Sequence, residues 1–227
     1  MKSRNEWALP AAAVVMLVAA LYLTFVWVPT ERTMGIVQRI FYFHVPSFFT
    51  AVVAFLVGMI AGIRFLMTRD YRFDEVAVAS NEIGVVFVSV NLITGSIWAR
   101  PIWGIWWTWD ARLTSAFVLW LMYVAYLILR PAVDEPGLRG VISAVFSIFA
   151  FVDVPIVYMS IRWWRTQHPQ PVLFGGEGSG LDPNMRFTLY FCFLAMLALY
   201  ACLLQVRRRL EGLRREAEGL RRTVHAG

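Results

Sequence analysis

Five of the ten tryptophans in this chain fall close together, at Trp98, Trp103, Trp106, Trp107 and Trp109, and the run closes on Asp110. Tryptophan is a common anchor at membrane–water boundaries, but an anchoring belt supplies one or two per helix end, not a tract. A helical reading puts Trp103, Trp106, Trp107 and Asp110 on one face, and Gly104 would let a ligand approach the backbone closely. Flat indoles with a polar edge suit a large planar apolar ligand with polar substituents. Two readings stand side by side, an interfacial anchor and a ligand platform.

Two histidines add chemistry. His44 sits in Phe41-Tyr42-Phe43-His44-Val45-Pro46 and His168 in Arg165-Thr166-Gln167-His168-Pro169. The third, His225, lies three residues from the end and reads as a solvated tail residue. A lone interfacial histidine is usually structural, and that alternative stays open. Two of them, on the same side as the tryptophan tract, form a candidate pair. Imidazole suits iron, and two imidazoles on opposite faces fill both axial positions of a haem. Ligand spacings for zinc or copper are missing. Arg100 and Arg112 flank the tract and offer charge to carboxylates such as propionates.

These residues need elements to hold them. Of 227 residues, 59% are hydrophobic and only 16% charged, too apolar for a water-soluble fold of this length. That balance excludes disorder, a coiled-coil rod and a disulfide-stapled miniprotein. The fold class is all-α, a polytopic membrane protein with six spans near residues 7–28, 47–67, 78–97, 113–129, 141–161 and 187–206. The first run is too long for the apolar core of a signal peptide and reads as a retained anchor. The histidine and tryptophan segments then lie in odd-numbered loops, and residues 29–46 read as an amphipathic helix with Met34, Val37, Phe41 and His44 on one face. The fifth loop, 162–186, carries Gly175, Gly176, Gly178 and Gly180 and reads as irregular.

Net charge is +6, and Lys2 is the only lysine. Fourteen cations fall on the side of the termini: Lys2, Arg4, Arg64, Arg69, Arg72, Arg130, Arg139 and seven tail arginines. Seven fall on the other: Arg32, Arg39, Arg100, Arg112, Arg162, Arg165 and Arg186. The excess comes from the tail. It places both termini in the cytoplasm and the Trp-rich loop in the periplasm, and it reads as a membrane-edge charge, not a nucleic-acid surface. Residues 1–206 form the transmembrane domain and 207–227 a basic amphipathic tail. In the tail Val206, Leu210, Leu213, Ala217, Leu220 and Val224 make a heptad-like stripe, suited to an anionic leaflet or a partner helix. Inside the spans, Asn81, Glu82, Asn91 and Asp153 should face the bundle interior, an aqueous cavity or an interface. Asn81 and Glu82 also read as solvated at the cytoplasmic edge, and Asp153 could reach Arg162 or water. Cys192 and Cys202 read as small buried apolar residues.

At these residues the chain resembles a known family. The run Trp103-Gly104-Ile105-Trp106-Trp107-Thr108-Trp109-Asp110 matches the WGxWWxWD signature of the haem-handling (WWD-domain) membrane proteins of cytochrome c biogenesis. The six spans, His44 before Val45-Pro46 and His168 in the last outer loop are similar to the CcmC family of system I maturation in the bacterial inner membrane. The short length argues against the larger synthase relatives. The resemblance implies a haem-delivery protein and not an enzyme. Haem b is its transient cargo, held on the periplasmic face by His44 and His168, with its edge on Trp103, Gly104, Trp106, Trp107, Trp109 and Asp110. It also implies partners: the haem chaperone CcmE, the small subunit CcmD and the ATP-driven pair CcmA and CcmB. The rival readings are a permease that moves haem through the bundle, in which Glu82 and Asp153 would matter more, and a b-type electron-transfer subunit. A third is a structural partner that the tract merely anchors.

Overall fold

The computed structural model describes residues 7–169 and 181–226, with side chains to 221. Expectations for Lys2, Arg4, the side chain of His225 and the glycine run Gly175, Gly176, Gly178 and Gly180 fall outside the described residues. Six helices are long and apolar enough to cross a bilayer, as the hydrophobic runs predict. No β-strand occurs among the described residues, only an isolated bridge between Glu31 and Gly35.

Helix α1 (Ala8–Tyr22) is apolar all round and ends in a π-helical turn, Leu23–Trp27. A 3₁₀ turn, Ile36–Ile40, feeds α2 (Phe41–Thr68), which stops where Arg69 takes the left-handed conformation. Helix α3 (Tyr71–Trp103) starts at Asp70, whose carboxylate accepts from the Arg72 backbone N–H, and stops at Gly104. Helix α4 (Ala111–Leu129) is capped by Asp110 and α5 (Pro136–Phe151) by Glu135. The fifth span breaks before α6 (Asp153–Trp163). Pro155 explains the break: it has no N–H for the Phe151 carbonyl four residues back, and its ring crowds that group. Helix α7 (Pro183–Ala226) is 44 residues long, about 66 Å at 1.5 Å per residue, and so outreaches the bilayer.

Helices α2 and α3 share the largest interface, α1 lies on α7, and α4 on α6. Small residues allow the close approach of helices that lipid-embedded bundles rely on. Gly58 faces the Asn81 amide and Gly62 faces the Ala144 backbone. The central core holds Phe48, Phe55, Val88, Leu119, Tyr123 and Val157, with Phe55 and Tyr123 stacked at 3.6 Å. Several polar side chains in the bundle pair between helices. Ser80 bonds Tyr200 at 2.7 Å, Asn81 donates to Ser147 at 2.9 Å and Trp120 Nε1 donates to Ser89 at 2.8 Å. Asn81 is thus fully buried, not solvated at the edge. Cys192 is buried beside Thr24, as expected of a small apolar residue, and Cys202 is half-buried; both are free thiols.

The tail does not leave the bundle at residue 206. Helix α7 runs on, and its charged face turns inward. Arg207 pairs with Glu82 and with Glu211, Arg215 with Glu75, and Glu218 with Arg139. Arg130 grips Asp74 through two bonds of 2.8 and 2.6 Å and lies 3.5 Å from Glu211. Glu82 is thus an ion-pair partner that keeps about a third of its side chain exposed, 32%. The stripe residues Val206, Leu210, Leu213 and Leu220 face outward.

Candidate functional site

At the end of the bundle opposite the tail, α2, α3, α4 and α6 diverge around a cavity lined by His44, Trp98, Trp103, Trp107, Arg112 and His168. His44 comes from within α2, in its first turn, and not from a loop. Of the predicted amphipathic face, Met34, Phe41 and His44 do line this cavity. The His44 ring stands edge-on to Trp98, with centroids 5.7 Å apart. Asn91 and Thr94 on α3 fix it: His44 Nδ1 lies 3.1 Å from the Asn91 carbonyl and 3.2 Å from Thr94 Oγ1, and Asn91 Nδ2 donates to the His44 carbonyl at 3.0 Å. The same amide lies 3.4 Å from His44 Nε2, at the limit of a hydrogen bond.

His168 enters from the segment after α6. Its backbone N–H donates to Thr166 Oγ1 at 3.1 Å, and its Nδ1 donates to the Pro169 carbonyl at 2.9 Å. Burial, and next the Arg112 cation, push its pKa down to about 4, so the ring is neutral at pH 7. In both histidines Nδ1 is tied to a backbone carbonyl, which fixes the tautomer and leaves Nε2 as the lone-pair nitrogen, the arrangement that metal-binding imidazoles use. The two ring centroids lie 6.5 Å apart, with planes 32° apart. Two metal–imidazole bonds of about 2 Å, plus about 1.1 Å from each nitrogen to its ring centre, would space two axial imidazoles by roughly 6.2 Å. The observed centroid separation is close to that spacing. Trp98 Nε1 and Trp107 Nε1 are buried without a hydrogen-bond partner, two donors left over for a ligand.

The tryptophan tract is arranged differently from a single helical face. Helix α3 carries Trp103, and Gly104 ends it in the left-handed conformation, at φ 78°. No protein atom lies within 4 Å of where a Gly104 Cβ would be, and the positive φ makes this glycine the helix-ending residue of the turn. Beyond it the chain is irregular up to α4. Trp103 and Trp107 line the histidine cavity, whereas Trp106 and Trp109 line a neighbouring groove that shares Trp107.

Asp110 is not turned toward the cavity as a ligand group. Its Oδ1 caps α4 by accepting from the Leu113 backbone N–H at 2.9 Å, and its Oδ2 accepts from Thr166 at 2.9 Å and Thr108 at 3.2 Å. The two arginines also part company. Arg112 lines the cavity, lies over the Phe48 ring at 4.8 Å and donates to the Val157 carbonyl. Arg100 is exposed and donates to the Gly104 carbonyl, closing the end of α3. Asp153 begins α6 with a buried carboxylate oxygen that has no hydrogen-bond partner. Asn91 was legible as a polar residue inside a span; nothing local in the sequence pointed to Thr94, Gly95 or Thr166.

Comparison with known proteins shows the family. The chain matches the family described as CcmC, heme exporter protein C, over residues 1–223. It is 34% identical over 195 residues to the heme exporter protein C of Bradyrhizobium diazoefficiens, covering 86% of this chain and 74% of that one. It is 33% identical over 211 residues to the heme exporter protein C of Escherichia coli K12, covering 89% and 83%. A Marchantia polymorpha relative named for cytochrome c biosynthesis, a ccmC-like mitochondrial protein, is 30% identical over 175 residues, covering 77% and 73%. With its six spans and a match along nearly its whole length, the chain belongs to the CcmC family of heme exporter protein C proteins.

Proposed function

We propose that this multi-pass membrane protein handles haem for cytochrome c maturation, as the names of its relatives describe, by holding haem b between His44 and His168 and handing it on. The observation that carries this reading is the pair of imidazoles with centroids 6.5 Å apart, each with Nδ1 held by a backbone carbonyl. The chain's residues supply orientation and area. Trp98, Trp103 and Trp107 wall the cavity, and a porphyrin burying about 300 Å² of apolar surface there would gain about 7 kcal/mol before ordering costs. Arg112, inside the cavity, is the cation for a propionate; Arg100, turned to a helix end, is not. In this reading the residues hold and present cargo.

The recipient in this reading is the haem chaperone CcmE, with CcmD assisting and CcmA and CcmB supplying ATP-driven release, all at the bacterial inner membrane. The histidine end faces the periplasm and the tail the cytoplasm. The haem spectrum of the purified protein tests the ligation. A bis-imidazole Soret band should be present in the wild type and lost or shifted in both His44→Ala and His168→Ala. Unchanged haem content and spectrum in both variants would remove the axial pair. Arg112→Ala should weaken haem retention while Arg100→Ala leaves it unchanged.

A further inference from the structure

Beside the histidine cavity, between α3 and α4, runs a second groove walled by Trp106, Trp107, Trp109, Phe117 and Trp120. It opens outward through Ile93, Ile97, Trp106 and Trp109, all well exposed on the flank that the spans turn to lipid. The two spaces share Leu92, Ser96 and Trp107, so a single layer of side chains divides them. Two of those three are a small serine and a leucine, and the third is an indole.

The dividing indole is weakly anchored. Trp107 meets Trp109 and Phe117 edge-to-face, at 5.7 and 6.1 Å, and its buried Nε1 has no hydrogen-bond partner. Rotating it would give up aromatic contacts of about 1 kcal/mol each and break no hydrogen bond. The floor is firmer, because Trp120 is stacked on Phe117 at 5.8 Å and donates to Ser89.

We infer that this groove is a lateral route by which haem passes from the bilayer into the histidine cavity, with Trp107 as the movable wall. The inference rests on the haem reading of the cavity. Haem is planar, with an apolar edge and two carboxylates, so it partitions into a membrane near the headgroups, the depth at which a tryptophan-rich groove sits. Continuity with the cavity selects haem over an acyl chain as the occupant: the groove leads through Trp107 to the two histidines. The aromatic walls suit a flat ligand, and Ser96 is the small side chain in the divide.

The test uses the full-length protein in liposomes preloaded with haem, compared with haem added directly in detergent. The double variant Ile93→Trp with Ile97→Trp fills the mouth with residues that touch neither histidine. It should slow uptake from liposomes by about tenfold or more and leave the final Soret spectrum in detergent unchanged. Ile93→Phe alone, a milder plug, should slow it less. Equal uptake rates from liposomes in both variants would overturn the route. Loss of the final spectrum would overturn it as well, by making the groove part of the holding site. Quenching of the groove tryptophans by brominated lipid that persists unchanged after haem loading would mark an acyl-chain site instead. A wild type that never forms the bis-imidazole spectrum would count against the haem reading itself, which separates the two failures.

Discussion

Thr166 hangs from Asp110: its hydroxyl donates to Asp110 Oδ2 at 2.9 Å, while its oxygen accepts from the His168 backbone N–H at 3.1 Å. The last residue of the tryptophan signature thus reaches the second histidine through one threonine. The same carboxylate caps α4, so the start of α4 and the His168 segment are fixed to a common point. Thr166→Val removes the link and keeps the shape. It should weaken haem retention by about tenfold, the cost of one lost hydrogen bond to a charged group, and broaden or shift the Soret band. Thr166→Ser should restore both. A valine variant with the wild-type spectrum would show that His168 is positioned without Asp110.

Gly95 touches the other histidine. A Cβ there would stand 2.9 Å from His44 Cε1, closer than packed atoms tolerate, and 3.4 Å from Nδ1. The ring has little freedom to retreat, being held by Asn91 and Thr94 and flanked by Trp98. Gly95→Ala should displace the imidazole and weaken haem binding in a Soret titration. The helix itself should gain stability by up to about 1 kcal/mol, because alanine is the better helix former. The overpacking against the held ring costs about 1–3 kcal/mol and offsets that gain, so lower affinity with no rise in thermal stability is the expected signature.

Protonation of His168 opposes ligation, and the sign follows from its lowered pKa. The free imidazole in the folded protein titrates near 4, below the ordinary 6.5, so the folded state binds fewer protons than the unfolded one between those values. Stability from this group is complete above about pH 6.5 and is lost as pH falls toward about 4. Haem affinity should likewise be insensitive to pH above about 5 and should begin to fall below about 4, where protons start to compete with iron for the imidazole. An acid titration of the Soret band, with release already complete at pH 6, would contradict this.

The tail end carries a stability prediction. Arg130 and Asp74 have side chains only 10% and 11% exposed. Asp74→Ala would leave a buried guanidinium with Glu211, at 3.5 Å, as its remaining carboxylate, and should cost about 3–5 kcal/mol. Replacing both partners, Asp74→Leu with Arg130→Met, should recover most of that loss, since no unpaired charge remains. Thermal unfolding in detergent reads both.

The sequence by itself determined the membrane architecture, because a bilayer core demands long apolar runs and these are contiguous in the chain. It also determined that the tryptophans and two histidines gather at one end, since alternation of spans settles sides without any knowledge of packing. Tertiary structure decided how they are used. His44 proved to be helical because α2 begins at Phe41 and runs on through Pro46. Gly104 ended α3 inside the signature and split the tryptophans between two spaces. Asp110 went to Thr166, and Glu82 to Arg207, across 56 and 125 residues of chain. Periodicity reports which face of one helix is apolar; it carries no distance between helices. The 6.5 Å gap between His44 and His168 is set by how α2, α3 and α6 pack, and so it exists only in the folded bundle.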